Sequence, residues 1–167
     1  MHAVNSLEPW LQCQSSLTTK LKQHANNVSL TVLNQGWELA DYWDKYKLQL
    51  DSGLLFKREI LIAAGSEYCW YGRTVIPQLV YEQNLDLFSR LATESLGDII
   101  FTEPRIKRLS LTSYCIDRDS IEYQWLQSSW HQNSHVLSVR FANFLIDQHY
   151  PFFLVEILLP ALLRVVR

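Results

Sequence analysis

Arg58 and Glu156 are the residues of this chain whose types and settings could do chemistry together. Arg58 lies in LLFKREILIAA, where Phe56, Arg58, Ile60, Ile62 and Ala64 share one face if the segment is a strand. A guanidinium cannot neutralise itself by losing its proton, so a buried one needs a carboxylate partner or a bound anion. Glu156 sits in the middle of FFLVEILL, the most apolar run of the sequence. A lone carboxylate there is costly unless it is paired or protonated. Two readings follow: the two charges neutralise one another as a structural pair, or they face a ligand pocket. Gly65-Ser66 suits a tight two-residue turn with glycine first. A hairpin centred there sets Arg73 opposite Arg58 on the same face. Like charges directly opposite are unfavourable, so an anion belongs between or beside them, unless Arg58 bonds an internal acid or bends out along the sheet edge.

Other candidate groups are weaker. Ser95 to Phe101 reads as a turn leading into a short helical piece, whose first amides are free to bind an anion or simply form a connector. His131 and His135 are spaced i, i+4 without an acidic or Cys companion, so an ordinary surface role is favoured over zinc. No His, Cys, Asp and Glu set has ligand spacing, and neither a metal nor another cofactor is expected.

The elements that must position these groups alternate between two periods. Leu7 to Cys13 and a second helix over LTTKLKQHA, capped by Ser15 or Ser16, form a helical hairpin. Val28 to Leu39 reads as a strand, with Gly36 as its bulge or twist point. Residues 40–53 read as an irregular connection. The hairpin of residues 54–77 follows, then an amphipathic helix from about residue 80 to 92. Arg105 to Ile116 and Val136 to Ile146 read as strands, with 117–134 hard to place. His149-Tyr150-Pro151 reads as a turn, and Phe152 to Leu159 as a buried strand followed by a short tail. The fold class is α+β: an antiparallel sheet of about six strands with its helices gathered on one face.

Composition bounds the rest. At 167 residues the chain is most simply one domain with a substantial core. With 48% hydrophobic and 19% charged residues it has a folded composition. A net charge of −2 without a basic block leaves no nucleic-acid footprint. Three scattered cysteines read as reduced packing residues of a cytoplasmic protein. The first dozen residues lack the pattern of a signal peptide. The terminal run PFFLVEILLPALLRVV, broken by Glu156, Pro160 and Arg164, is short of a spanning helix.

Five segments in register resemble the chorismate pyruvate-lyase (chorismate lyase) family. They are Ser16-Leu17-Thr18, Arg58-Glu59-Ile60-Leu61, Gly72-Arg73-Thr74-Val75-Ile76-Pro77, Leu96-Gly97 followed by Phe101, and Glu156-Ile157-Leu158-Leu159-Pro160. The resemblance covers most of the chain and implies one domain over residues 1–167, with helical flaps over a buried ligand cavity. It implies an enzyme that eliminates pyruvate from chorismate to give 4-hydroxybenzoate for quinone biosynthesis (ubiquinone or plastoquinone), as a cytoplasmic monomer with small-molecule partners only. By the same resemblance Leu17, Arg58, Leu96 and Glu156 contact the ligand. Arg58 and the amides near Leu17 and Leu96 hold the ring carboxylate, and Glu156 faces the 4-hydroxyl. Arg73 is a second-tier candidate for the enolpyruvyl carboxylate. Three departures concern the cavity walls: Leu17 where some members have methionine, a longer stretch between Phe101 and Glu156, and Arg140 alone in place of an arginine-rich approach to the last strand. The rival reading is a non-catalytic aromatic-acid sensor of the same fold. Such sensor domains normally follow a DNA-binding helix-turn-helix region, for which 167 residues leave no room, so the enzyme is expected.

Overall fold

Six antiparallel strands form one sheet: β1 Val28–Leu39, β2 Leu54–Ala64, β3 Glu67–Pro77, β4 Ile106–Asp117, β5 Val136–Ile146 and β6 Tyr150–Leu158. Their spatial order is β1-β2-β3-β6-β5-β4. The computed structural model describes residues 7–166, so residues 1–6, on which the signal-peptide reading partly rested, lie outside it. Among the described residues no helix is long and apolar enough to cross a membrane.

Strand alternation builds two cores instead of one. Along β6, Phe152, Leu154 and Leu158 pack on one face with Glu156 between them, while Phe153, Val155 and Ile157 pack on the other. The expectation that the helices gather on one face is therefore corrected. Helices α1 Glu8–Leu11, α2 Leu17–Lys22, α4 Gln78–Gln83, α5 Leu85–Phe88, α6 Leu96–Thr102 and α9 Ala161–Val165 supply buried residues to the Glu156 face. Helices α3 Tyr42–Lys47, α7 Ile121–Gln124 and α8 Ser128–His131 cover the other with Trp43, Tyr123 and Trp130. Residues 117–134 thus form a cover for the second face, which a sheet buried on both sides requires.

Local chemistry explains where the elements differ from the sequence reading. Helix α3 lies in the segment read as a connection. Its start is a capping box between Asp41 and Asp44, each side chain accepting from the other's backbone N–H at 2.9 Å. Asp44 also meets Lys57 Nζ at 2.6 Å, which ties α3 to β2. The single helix expected over 80–92 is broken at Asn84, whose side-chain amide donates to the Val80 carbonyl at 2.9 Å. That bond takes the acceptor a helical N–H four residues on would use, and the chain restarts as α5 and a 3-10 turn over Ser89–Ala92. The β5–β6 turn is residues 147–149, not His149 to Pro151; Asp147 and Gln148 are left-handed (φ 52° and 58°) and the His149 N–H donates to the Ile146 carbonyl at 3.0 Å. His131 is buried, not a surface residue. Its Nδ1 accepts from the Asn133 N–H at 3.2 Å and lies 3.1 Å from the Tyr123 hydroxyl.

Three bulges set which side chains face which core. Each inserts one residue, at Leu33 in β1, Cys69 in β3 and Leu109 in β4. In β1 the irregularity is at Leu33, and Gly36 stays in register with Lys57.

Candidate active site

The cavity lies between the Glu156 face of the sheet and the starts of α2 and α6. Its space is about 660 Å³ when the opening to solvent is counted in. Its floor includes Ile60, Trp70, Thr74, Ala142, Phe144 and Leu154. Gly72 keeps that floor low, because a Cβ there would stand 3.0 Å from Ile60 Cγ1. The half-exposed Phe101 stands at its rim.

Arg58 enters the cavity from β2 and is 4% exposed. Among the described residues its guanidinium has no ion pair, and its Nε has no hydrogen-bond partner. Burial weakens its hold on its proton, yet a guanidinium stays charged. The register places Thr74, not Arg73, opposite it. The bulge at Cys69 shifts β3 by one residue, and a one-residue shift sends every later side chain to the other face. Arg73 consequently pairs with Glu59 in register and points into the second core. Its guanidinium lies 4.1 Å from the Trp125 ring centre and 3.6 Å from Asp41. Arg73 does not line the cavity, which corrects its second-tier place among the candidate ligand contacts.

Glu156 stands on β6 between Gly72 and Arg140 in register. Its side chain is 14% exposed, and Oε1 lies 3.3 Å from Arg140 Nε. Alignment there is too poor for a hydrogen bond, and Arg140 spends its other nitrogens on the Trp10 and Cys13 carbonyls. Burial pushes the Glu156 carboxyl up, against the opposing pull of Arg140 and Arg108. Arg58 and Glu156 therefore do not form the mutual pair that the plain structural reading required.

Two serine-capped helix starts close the cavity from above. Ser16 Oγ accepts from the Thr19 N–H, and Ser95 Oγ from the Asp98 N–H. Leu17 and Leu96 occupy the first helical positions, where backbone N–H groups have no partner within their helix. Both leucine side chains are buried, 5% and 6% exposed, and both residues line the cavity. The two caps meet, since a Cβ on Gly97 would lie 3.4 Å from Ser16 Oγ.

Arg108 is the lining residue that sequence reasoning missed, and Arg140 was noticed only as a remnant of a family pattern. Arg140 carries the signal that marked Arg58: an arginine in step with apolar neighbours, here Ala142, Phe144 and Ile146. Arg108 shares the period of Ile106 but lies just before the bulge at Leu109, where alternation is lost. Its Nη2 donates to the side-chain and backbone oxygens of Gln14, the latter at 3.4 Å. Among the described residues no three His, Cys, Asp or Glu side chains are grouped as metal ligands.

The family profile described as chorismate lyase matches residues 1–161. The chain belongs to the chorismate lyase family. It is 30% identical over 118 residues to a probable chorismate pyruvate-lyase of Aromatoleum aromaticum, covering 70% of this chain and 64% of that protein. A probable chorismate pyruvate-lyase of Thiobacillus denitrificans is 25% identical over 163 residues, covering 96% and 86%. The match to a Shewanella relative, 35% identical, spans 58% of this chain and half of that protein. Among solved structures, a GntR-family transcriptional regulator from Bacillus cereus superposes with a TM-score of 0.58 at 17% identity, covering 81% of this chain and 93% of that one. The effector domain of PhnF from Mycobacterium smegmatis gives 0.53 at 11%, covering 87% and 89%. These likenesses establish a shared fold.

Proposed function

We propose that this chain is a chorismate lyase, converting chorismate to 4-hydroxybenzoate and pyruvate at the head of quinone biosynthesis. The observation that carries the reading is Arg58: a buried cation facing the cavity, with no anion to meet it among the described residues. Such an arrangement is unfavourable in the empty protein and becomes favourable when a carboxylate binds. The unpartnered amides at Leu17 and Leu96 add neutral donors in the same cavity.

The reaction breaks the ether C–O bond of the enolpyruvyl group and removes the hydrogen on the neighbouring ring carbon. The ring becomes aromatic, the hydrogen passes to the departing group, and pyruvate leaves. Aromaticity supplies the driving force, so the protein's work is to orient the substrate and exclude water. Arg58 holds the ring carboxylate. Glu156, two strands away on β6, meets the 4-hydroxyl. Its carboxyl, pushed up by burial against the pull of Arg140 and Arg108, offers that hydroxyl a hydrogen-bond partner. The floor of Ile60, Trp70, Ala142 and Leu154 gives the ring an apolar bed. Positioning of this kind contributes up to roughly 7–11 kcal/mol.

The test is to add chorismate to purified protein and follow 4-hydroxybenzoate by its absorbance. Steady formation of equimolar 4-hydroxybenzoate and pyruvate is expected. Binding of 4-hydroxybenzoate without any turnover would instead assign the chain to the ligand-sensing use of the fold.

A further inference from the structure

The cavity holds more positive charge than one ring carboxylate needs. Arg58, Arg108 and Arg140 line it against the single carboxylate of Glu156. The three cations differ in what already engages them. Arg140 is 4% exposed and committed to the Trp10 and Cys13 carbonyls and to Glu156. Among the described residues Arg58 has no partner, and it serves the first carboxylate. Arg108 is engaged, again among the described residues, only by Gln14, through a neutral carboxamide oxygen and a long contact to its carbonyl. It also stands at the mouth, where the cavity adjoins an outer hollow lined by Gln14, Ile100, Phe101, Ile106 and Phe144.

We propose that Arg108 receives a second carboxylate of the ligand and that Gln14 occupies it until a dianion arrives. This inference rests on the lyase reading, in which the substrate is a dianion and the aromatic product a monoanion. A carboxylate oxygen makes a stronger bond to a guanidinium than a carboxamide oxygen does, so a dianion displaces Gln14. Geometry agrees with the chemistry of the ring. Arg58 comes from β2, Glu156 from β6, and Arg108 from β4 at the far edge of the sheet. The enolpyruvyl group is carried next to the hydroxyl-bearing carbon, so its carboxylate falls beyond Glu156 on the side away from Arg58. Arg108 thereby distinguishes substrate from product: the monoanion leaves it on Gln14. Gln14 lies in the linker between α1 and α2, so its displacement also frees the stem of the α2 flap.

The experiment compares two stable probes by titration calorimetry, 4-hydroxybenzoate and the dianionic 3-(carboxymethoxy)-4-hydroxybenzoate. The wild-type protein should bind the dianion roughly ten- to a hundredfold more tightly. Arg108→Gln should remove that advantage while leaving 4-hydroxybenzoate within about twofold of its wild-type affinity, and Arg108→Lys should recover part of it. Gln14→Ala, which keeps the guanidinium and removes its competitor, should tighten the dianion. A wild type that binds both probes equally overturns the proposal. So does an Arg108→Gln protein that keeps the dianion advantage or weakens both probes alike, or a Gln14→Ala protein that binds the dianion less well. If the predicted pattern is obtained but chorismate is not turned over, the lyase reading fails while the assignment of Arg108 stands.

Discussion

Replacing Arg58 with methionine should make the empty protein more stable and nearly blind to its ligand. Methionine keeps the unbranched reach of the side chain in the row of Phe56, Ile60 and Ile62 but removes the charge. Arg58 is 4% exposed and has no anionic partner among the described residues, so its desolvation is uncompensated. Exchanging buried ionic groups for packed apolar ones is neutral to stabilising by about 1–4 kcal/mol. For a domain of this size each kcal/mol moves Tm by about 2–4 °C, so the unliganded variant should melt a few degrees higher. Binding should change in the opposite sense. A charge-assisted contact to carboxylate is worth about 1.5–3 kcal/mol, or roughly ten- to more than a hundredfold in Kd. At a ligand concentration of 100 Kd, 4-hydroxybenzoate stabilises the wild type by about 2.7 kcal/mol. At that same concentration a variant weakened ten- to a hundredfold gains only about 1.4 to 0.4 kcal/mol. The assay is a pair of thermal melts, with and without ligand, for both proteins. Were Arg58 half of a structural pair, its loss would cost about 3–5 kcal/mol. An unliganded variant melting well below wild type, with its ligand shift intact, refutes the reasoning.

Two further outcomes follow from the site. Glu156→Gln should fold normally and lose turnover, and its stability relative to wild type should depend on pH. The Glu156 carboxyl is raised by burial above its ordinary value of 4.5, so the folded wild type is favoured below that value and loses ground as pH rises through the raised one. Urea melts at pH 4 and pH 7 should therefore show the variant gaining on wild type at the higher pH, and a constant difference would mean that Glu156 is not held in a desolvating site. Leu17→Pro removes one N–H at a first helical position, where proline suits the helix, and Ser16 before it is already extended (ψ 126°). Compared with Leu17→Ala, which loses the side chain but keeps the N–H, it should bind 4-hydroxybenzoate several-fold more weakly, and equal affinities would remove the backbone amide from the site.

The strands were legible because alternation survives wherever one face is buried. β1 spans the expected Val28–Leu39, and the central hairpin turns at Gly65 with φ 59°. The short helices were less legible. Each has one or two turns, too few for a period to emerge, and they are held by particular side chains such as Asp41, Asp44 and Asn84. The second core was missed because β2 and β6 are apolar on both faces. A continuous apolar run does not say how many layers cover it. Arg58 and Glu156 could be singled out as charges inside such runs. Arg140 carries the same signal, whereas Arg108 can be assigned to the cavity only once the bulge beside it is known.

Parity is the part of this site that pattern reading cannot supply. A regular hairpin turning at Gly65-Ser66 sets Arg58 opposite Arg73. One extra residue, Cys69, sets it opposite Thr74. The difference decides the chemistry of both faces. With the bulge, Arg73 is held against Trp125 and Asp41 in the second core, where its charge has company. Gly72 then falls between Ile60 and Glu156, leaving the floor open in front of the carboxylate. Without it, two guanidiniums would crowd the same face and a side chain would replace the glycine beneath the ring. A single inserted residue on β3 thus sets Arg58 opposite a neutral threonine instead of a second guanidinium, and leaves the cavity one cation with no anion beside it among the described residues.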